Sequence, residues 1–187
     1  MVVLAIVGSP RVKGNTSYLV DQALEAIAEA GIETEKIMLS QYEINPCLGH
    51  DACASYETCI QKDDAGWILD KFRTADGVIL ATPVYYYNVS AQMKAFIDRN
   101  YWLYKHDQKY QSRAVGFIVV ADQAGIEDTL HTLNQFAEDF GVSDEGMFIA
   151  SGYASEIGDV TKNLSLVGEA RQLGRHMAQL LKGYNAK

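Results

Sequence analysis

The sequence predicts an α/β protein, a doubly wound three-layer sandwich with a five-stranded parallel sheet in the order 2-1-3-4-5. Three observations lead there. Short apolar or alternating runs at 2–7, 33–39, 77–81, 114–121 and 146–150 read as strands. Segments with apolar residues at helical spacing lie between these runs and after the last. The two types alternate along the whole chain, and a parallel crossover needs a helix packed on the sheet.

Each element has its own justification. The run Val2-Val3-Leu4-Ala5-Ile6-Val7 breaks at Gly8-Ser9-Pro10-Arg11. Gly14-Asn15-Thr16-Ser17 then opens a helix whose Leu19, Ala23, Ala26 and Ile27 share one face. After the second strand, Asp63 and Asp64 are placed to cap a helix ending near Thr74. Ser90 is placed to cap another containing Met93, Phe96 and Ile97. Leu130, Leu133, Ala137 and Phe140 mark the helix after the fourth strand. Leu166, Ala170, Leu173, Met177, Leu180 and Leu181 mark the closing one. The 187 residues read as one domain, 1–187, with a cysteine-containing insertion loop at about 42–62.

Composition excludes several function classes. A hydrophobic content of 48% with 21% charged residues describes a globular chain, and the net charge of −8 argues against nucleic acid as a partner. No run approaches the ~20 apolar residues of a membrane span, and the first strand lacks the basic flank of a signal sequence. Three cysteines close together without secretory context point to a reducing, cytoplasmic setting.

The loop from Ser9 to Ser17 is built to hold a phosphate. The first N–H groups of a helix have no intrahelical acceptor, and the helix dipole places positive potential beside them. Ser9, Thr16 and Ser17 add hydroxyls, and Arg11 adds a planar cation. The loop matches neither the triphosphate-binding pattern, since Asn15 stands where lysine belongs, nor the dinucleotide pattern. It suits a phosphate monoester held without a metal. The ordinary alternative is a βα turn with Ser or Thr capping the helix.

The expected strand order reverses direction between the first and third strands, where ligands bind in such sheets. The loop after the third strand, Thr82-Pro83-Val84-Tyr85-Tyr86-Tyr87-Asn88-Val89-Ser90, would therefore face the phosphate loop. Pro83 turns the chain out of the sheet and leaves the following N–H groups for a ligand. Tyr85–Tyr87 supply flat surface, and Asp122-Gln123-Ala124-Gly125 would close the site. A phosphate pocket beside an aromatic wall suits FMN.

Ser9-Pro10-Arg11-x-x-Gly14-Asn15-Thr16, Asp63-Asp64, Thr82-Pro83-Val84-Tyr85-Tyr86 and Lys94-Ala95-Phe96-Ile97-Asp98-Arg99 together resemble the flavodoxin-like FMN-dependent NAD(P)H oxidoreductases. More narrowly, the chain is similar to their iron–sulfur flavoprotein branch. The resemblance implies that Ser9, Arg11, Asn15, Thr16 and Ser17, around Gly14, hold the FMN phosphate. It implies that Pro83, Val84, Tyr85 and Tyr86 line the ring, with Asn88, Asp122, Gln123 and Gly125 nearby. It also implies a homodimer or tetramer with FMN near a subunit boundary.

The cysteine segment departs from that branch, which carries C-x2-C-x2-C and a fourth cysteine. Here Cys47, Cys53 and Cys59 remain, and His50 occupies the second position. Three thiols and an imidazole can ligate an iron–sulfur cluster or zinc. A degenerate loop with free thiols is the plain alternative.

The expected function is an FMN-dependent oxidoreductase that passes electrons from NAD(P)H to a small acceptor such as a quinone or flavin. An electron carrier between redox proteins and a non-catalytic flavin-binding module are the competing readings. The chemistry would belong to the flavin, so no catalytic side chain is named. His131, Asp98 and Arg99 read as solvated or ion-paired helix residues. Tyr101, Trp102 and Tyr104 would cover a flavin or fill an interface.

Overall fold

A computed structural model describes residues 1–185. Five parallel strands, β1 (Val2–Val7), β2 (Glu33–Met38), β3 (Gly77–Pro83), β4 (Ala114–Ala121) and β5 (Met147–Tyr153), form one sheet in the order β2-β1-β3-β4-β5. The helices are α1 (Asn15–Glu29), α2 (Ala65–Thr74), α3 (Ala91–Arg99), α4 (Tyr101–Lys105), α5 (Ile126–Ala137) and α6 (Leu164–Asn185). The central strands are buried on both faces, so they read in sequence as continuous apolar runs.

Alternation along each strand divides the core. Val3, Ala5, Ile79, Ile118 and Ala150 pack beneath α1 and α6, through Leu19, Ala23, Ile27, Ala170, Leu173 and Met177. Leu4, Ile6, Leu80, Phe117 and Val119 pack on the other face with Phe72 of α2, Phe96 of α3 and Leu133 of α5. The two layers of helix fix the carboxyl ends of β1, β3, β4 and β5 on one rim.

The structure moves several expected boundaries. Strand β3 continues to Pro83 and β5 to Tyr153, because Ser151-Gly152-Tyr153, a turn-like tripeptide, pairs with Val119–Ala121. Ser90 caps α3 as expected, accepting from the Met93 amide at 3.2 Å. Asp64 stands at the N-cap of α2, but its side chain makes no cap hydrogen bond. It accepts instead from the Glu43 amide at 2.9 Å, while Asp63 accepts from the Ala65 amide at 3.1 Å. Residues 101–105 form a short helix where a connection was expected. No helix among the described residues is long and apolar enough to cross a membrane.

Candidate flavin site at the carboxyl rim

The rim holds a hollow of about 230 Å³ lined by the β1–α1 loop, the start of α1 and the ends of β3, β4 and β5. Ser9, Arg11, Gly14, Asn15 and Thr16 border it, as do Pro83, Val84, Tyr85 and Asp122. Gly8 lets the loop leave the sheet against α3. A Cβ there would lie 2.7 Å from both Met93 Cβ and Ser90 Oγ, and the Ser90 hydroxyl donates to the Gly8 carbonyl at 2.6 Å.

Helix α1 begins with Gly14 at the N-cap and no side-chain cap. The Gly14 amide donates to the Arg11 carbonyl at 3.0 Å, and without a Ser or Thr cap the amides of Asn15, Thr16 and Ser17 are left for a ligand. Thr16, only 2% exposed, makes no side-chain hydrogen bond among the described residues and borders the hollow. Arg11 is exposed, and its guanidinium has no protein partner among them. Amides, a free hydroxyl and a cation around one hollow are the donor set that a phosphate monoester requires.

Three residues of the loop are otherwise occupied. The Ser9 hydroxyl donates to the Arg11 carbonyl at 3.3 Å and accepts from the Arg11 amide at 3.2 Å. Asn15 donates from Nδ2 to the Glu156 carbonyl and accepts at Oδ1 from the Gly158 amide, both at 2.8 Å. It ties the loop after β5 to the start of α1. The Ser17 hydroxyl accepts from Lys36 Nζ at 3.3 Å, and Ser17 does not line the hollow.

The aromatic loop also differs from expectation. The amides that follow Pro83 are mostly committed. Val84 donates to the Val120 carbonyl at 2.8 Å, and Tyr85 and Asn88 exchange backbone bonds at 2.9 and 3.1 Å. Ser90 donates to Thr82 Oγ1 and Val89 to Asn88 Oδ1. These bonds close a two-residue hairpin turn with Tyr86 and Tyr87 at its tip, both left-handed at φ 49° and 61°. Such turns favour Asn and Gly, so two tyrosines there store strain, and Tyr86 is 99% exposed.

Gly125, at φ 89°, lies behind this turn. A Cβ on it would come within 2.8 Å of Tyr87 Cα and Val84 Cγ1. Gly125 thus supports the turn without lining the hollow, as Tyr86, Asn88 and Gln123 also do not. Val120, Ala121, Ala154 and Ser155 line it and were missed. Val120 pairs with Pro83 across the sheet, which parallel register would have suggested. Ser155, which donates to Asp122, lies beyond a strand that the sequence reading ends at residue 150.

The cysteine segment occupies a separate place. Burial pushes the Cys53 thiol above its ordinary value, with the neighbouring Cys47 and Cys59 thiolates adding to the shift. Cys59 Sγ accepts from Arg99 at 3.4 Å, and His50 Nδ1 accepts from the Ala52 amide at 3.1 Å. Among the described residues, no three His, Cys, Asp or Glu side chains converge as a metal-holding group. As they stand, the four expected ligands do not fit a cluster or zinc, and no step is derived through one. Tyr101 donates to Asp51 beside this segment, and Trp102 stacks on His106 with centroids 4.2 Å apart. Neither they nor the exposed Tyr104 lines the hollow. Arg99 is ion-paired as expected, Asp98 pairs with Lys94, and His131 lies on an exposed helix face.

Known proteins converge on the same reading. The profile of the NADPH-dependent FMN reductase family matches residues 1–154. The chain is 36% identical over 190 residues to an iron–sulfur flavoprotein of Methanocaldococcus jannaschii, covering 97% of this chain and 98% of that one. Its fold is similar to an NAD(P)H:quinone oxidoreductase from Methanothermobacter marburgensis, with a TM-score of 0.76, 16% identity and coverage of 95% and 96%. It is also similar to an archaeal flavodoxin, with a TM-score of 0.60, 12% identity and coverage of 97% and 99%. The chain belongs to the NADPH-dependent FMN reductase family, in its iron–sulfur flavoprotein branch, and is a flavodoxin-like oxidoreductase.

Proposed function

We propose that the chain passes electrons from NAD(P)H through FMN to a small acceptor such as a quinone or a free flavin. The observation that carries this reading is the uncapped start of α1, which meets Arg11 and Thr16 at one hollow. The amides of the first turn, Arg11 and Thr16 would hold the phosphate, and Ser9 would shape the loop through its bonds to the Arg11 backbone. Asn15 acts by holding the loop after β5 in place.

The hollow, at about 230 Å³, is below the roughly 300–1,000 Å³ of typical ligand pockets. It suits a phosphorylated stem. Pro83, Val84 and the exposed Tyr85–Tyr87 turn would receive the ring, with Asp122, Gln123 and Gly125 beside it. When bound, FMN supplies hydride acceptance and electron release. The protein's residues bind the stem, orient the ring and leave one side open to a nicotinamide. The setting proposed is cytoplasmic. Stopped-flow mixing with NADH and NADPH tests the reading: bleaching of bound flavin supports it, and absence of bleaching by either removes it.

A second reading is favoured by the likeness to curated iron–sulfur flavoproteins and by Cys47, Cys53 and Cys59 standing within one short segment. With His50 they would hold an iron–sulfur cluster or zinc after local rearrangement, and an electron carrier between redox proteins would result. Iron and zinc analysis of protein prepared without oxygen decides it. Stoichiometric metal lost in Cys53→Ser supports this reading, and metal-free protein with intact thiols removes it.

A further inference from the structure

A larger hollow, of about 610 Å³, opens where the far ends of α3 and α5 approach α4. Both α3 and α5 start near the rim that carries the flavin cleft and run down the sheet. The 9 residues of α3, each rising about 1.5 Å, set its far end roughly 13 Å from that rim. The two hollows share no residue. Its volume lies within the roughly 300–1,000 Å³ range of small-molecule sites.

The walls of this hollow are aromatic and its charges are acidic. Tyr101, Tyr104, Tyr110 and Phe136 border it together with Asp98 and Asp139. Tyr101 and Tyr104 are stacked, with centroids 6.0 Å apart and planes at 19°. The Lys105 ammonium stands 5.1 Å from the Tyr101 ring centroid, so this pair of rings already attracts one cation. Burial pushes the Tyr110 hydroxyl above its ordinary value, and the Asp139 charge adds to the shift. Tyr110 therefore stays neutral and donates to Asn100 Oδ1 at 3.1 Å. Asp98 pairs with Lys94 at 2.6 Å. Asp139 has no ion pair or hydrogen bond among the described residues, and no Lys, Arg or His borders the hollow.

That combination selects a ligand by charge. An anion would meet two carboxylates with no cation to offset them. A neutral apolar molecule would gain from the rings but strip water from Asp139 without pairing it. A bare metal ion needs a shell of oxygen ligands that the rings do not supply. An organic cation gains from the rings and from the carboxylates at once.

We propose that this hollow is a binding site separate from the flavin cleft, and that it takes a small organic cation of the quaternary-ammonium or alkylated-amine class, held by the tyrosine rings and by the charges of Asp98 and Asp139. The inference rests on this hollow and not on the flavin reading.

The experiment is a ligand-observed NMR titration of the full chain as purified, with flavin absorbance read on the same samples. The probes are choline and the uncharged alcohol in which a tert-butyl group replaces its trimethylammonium. Choline is expected to bind at least about fivefold more tightly than the alcohol. Tyr104→Ala and Asp139→Asn, both at exposed positions, are each expected to weaken choline by about threefold to fivefold, with circular dichroism and flavin content unchanged. Tyr184→Ala, an exposed tyrosine on α6 outside the hollow, is expected to leave choline binding unaltered. Equal affinity for choline and the alcohol overturns the inference, as does the absence of choline binding or binding that neither variant weakens. Choline binding that is lost as the chain self-associates would assign the hollow to a subunit contact and overturn it too.

Discussion

Arg99, at the end of α3, and Asp63, just before α2, form an ion pair whose side chains are 1% and 0% exposed. Arg99 also donates to the Asn45 carbonyl at 3.0 Å and to Cys59 Sγ, so one guanidinium fastens both ends of the 42–62 segment. Burial alone would raise the Asp63 carboxyl. The Arg99 hydrogen bond, the Asn45 and Ala65 amides and the Arg99 charge together hold it below the ordinary carboxylate value.

Asp63→Asn should therefore destabilise the protein by about 3–5 kcal/mol, because it leaves a buried guanidinium without its counter-charge. A carboxyl lowered in the folded state contributes stability that is present above its unfolded value near about 3.9 and is lost as pH falls through the folded value. Wild type should lose stability on acidification through that window, and Asp63→Asn should lose less there. Urea unfolding at several pH values reads both. Parallel pH profiles for the two proteins would refute this assignment.

Arg11→Ala should weaken FMN binding by about tenfold to a hundredfold, the loss of one charge-assisted contact of roughly 1.5–3 kcal/mol. Arg11 is exposed and unpaired among the described residues, so thermal stability of the FMN-free protein should not change. Fluorescence titration measures the affinity. An unaltered dissociation constant would take Arg11 out of the site.

Tyr86→Asn should move stability and function in opposite directions. Asn tolerates the left-handed backbone, and a side chain 99% exposed gives up no packing, so a gain of up to about 1 kcal/mol is expected. Turnover with NAD(P)H should fall, because the turn loses aromatic surface where the ring would lie. A variant that is less stable than wild type would show that the turn is not strained.

Gly125→Ala meets both a φ of 89° and the Tyr87 Cα and Val84 Cγ1 at 2.8 Å. It should cost about 1–3 kcal/mol and weaken FMN binding through displacement of the tyrosine turn. Calorimetry and titration on the same variant check the pair of effects. Full stability with full affinity would mean that the 122–125 loop moves freely.

The fold was legible because the buried strands and amphipathic helices carry their periods in sequence. Leu19, Ala23 and Ile27 were visible as one buried helix face by spacing, and Val2–Val7 as a buried strand by its unbroken apolar run. The strand-to-helix junction at 8–17 was legible too, because Gly8-Ser9-Pro10 ends the apolar run and helical spacing follows. Side-chain commitments were not. Nothing in the spacing shows that Asn15 is spent on Glu156 and Gly158, or that Asp63 holds Arg99 with one oxygen while the other accepts from the start of α2, since Glu156, Gly158 and Arg99 come from distant segments. The tip at Tyr86-Tyr87 hid for another reason: its backbone conformation is one that its residue types disfavour.

The central claim is that the β1–α1 loop positions an FMN that NAD(P)H reduces. Its most direct measurement is anaerobic stopped-flow absorbance of the purified, FMN-loaded protein mixed with NADH or NADPH. The account predicts rapid loss of flavin absorbance with at least one nucleotide and its return on adding a quinone. Protein that neither contains nor takes up FMN, or bound flavin that neither nucleotide reduces, would contradict it.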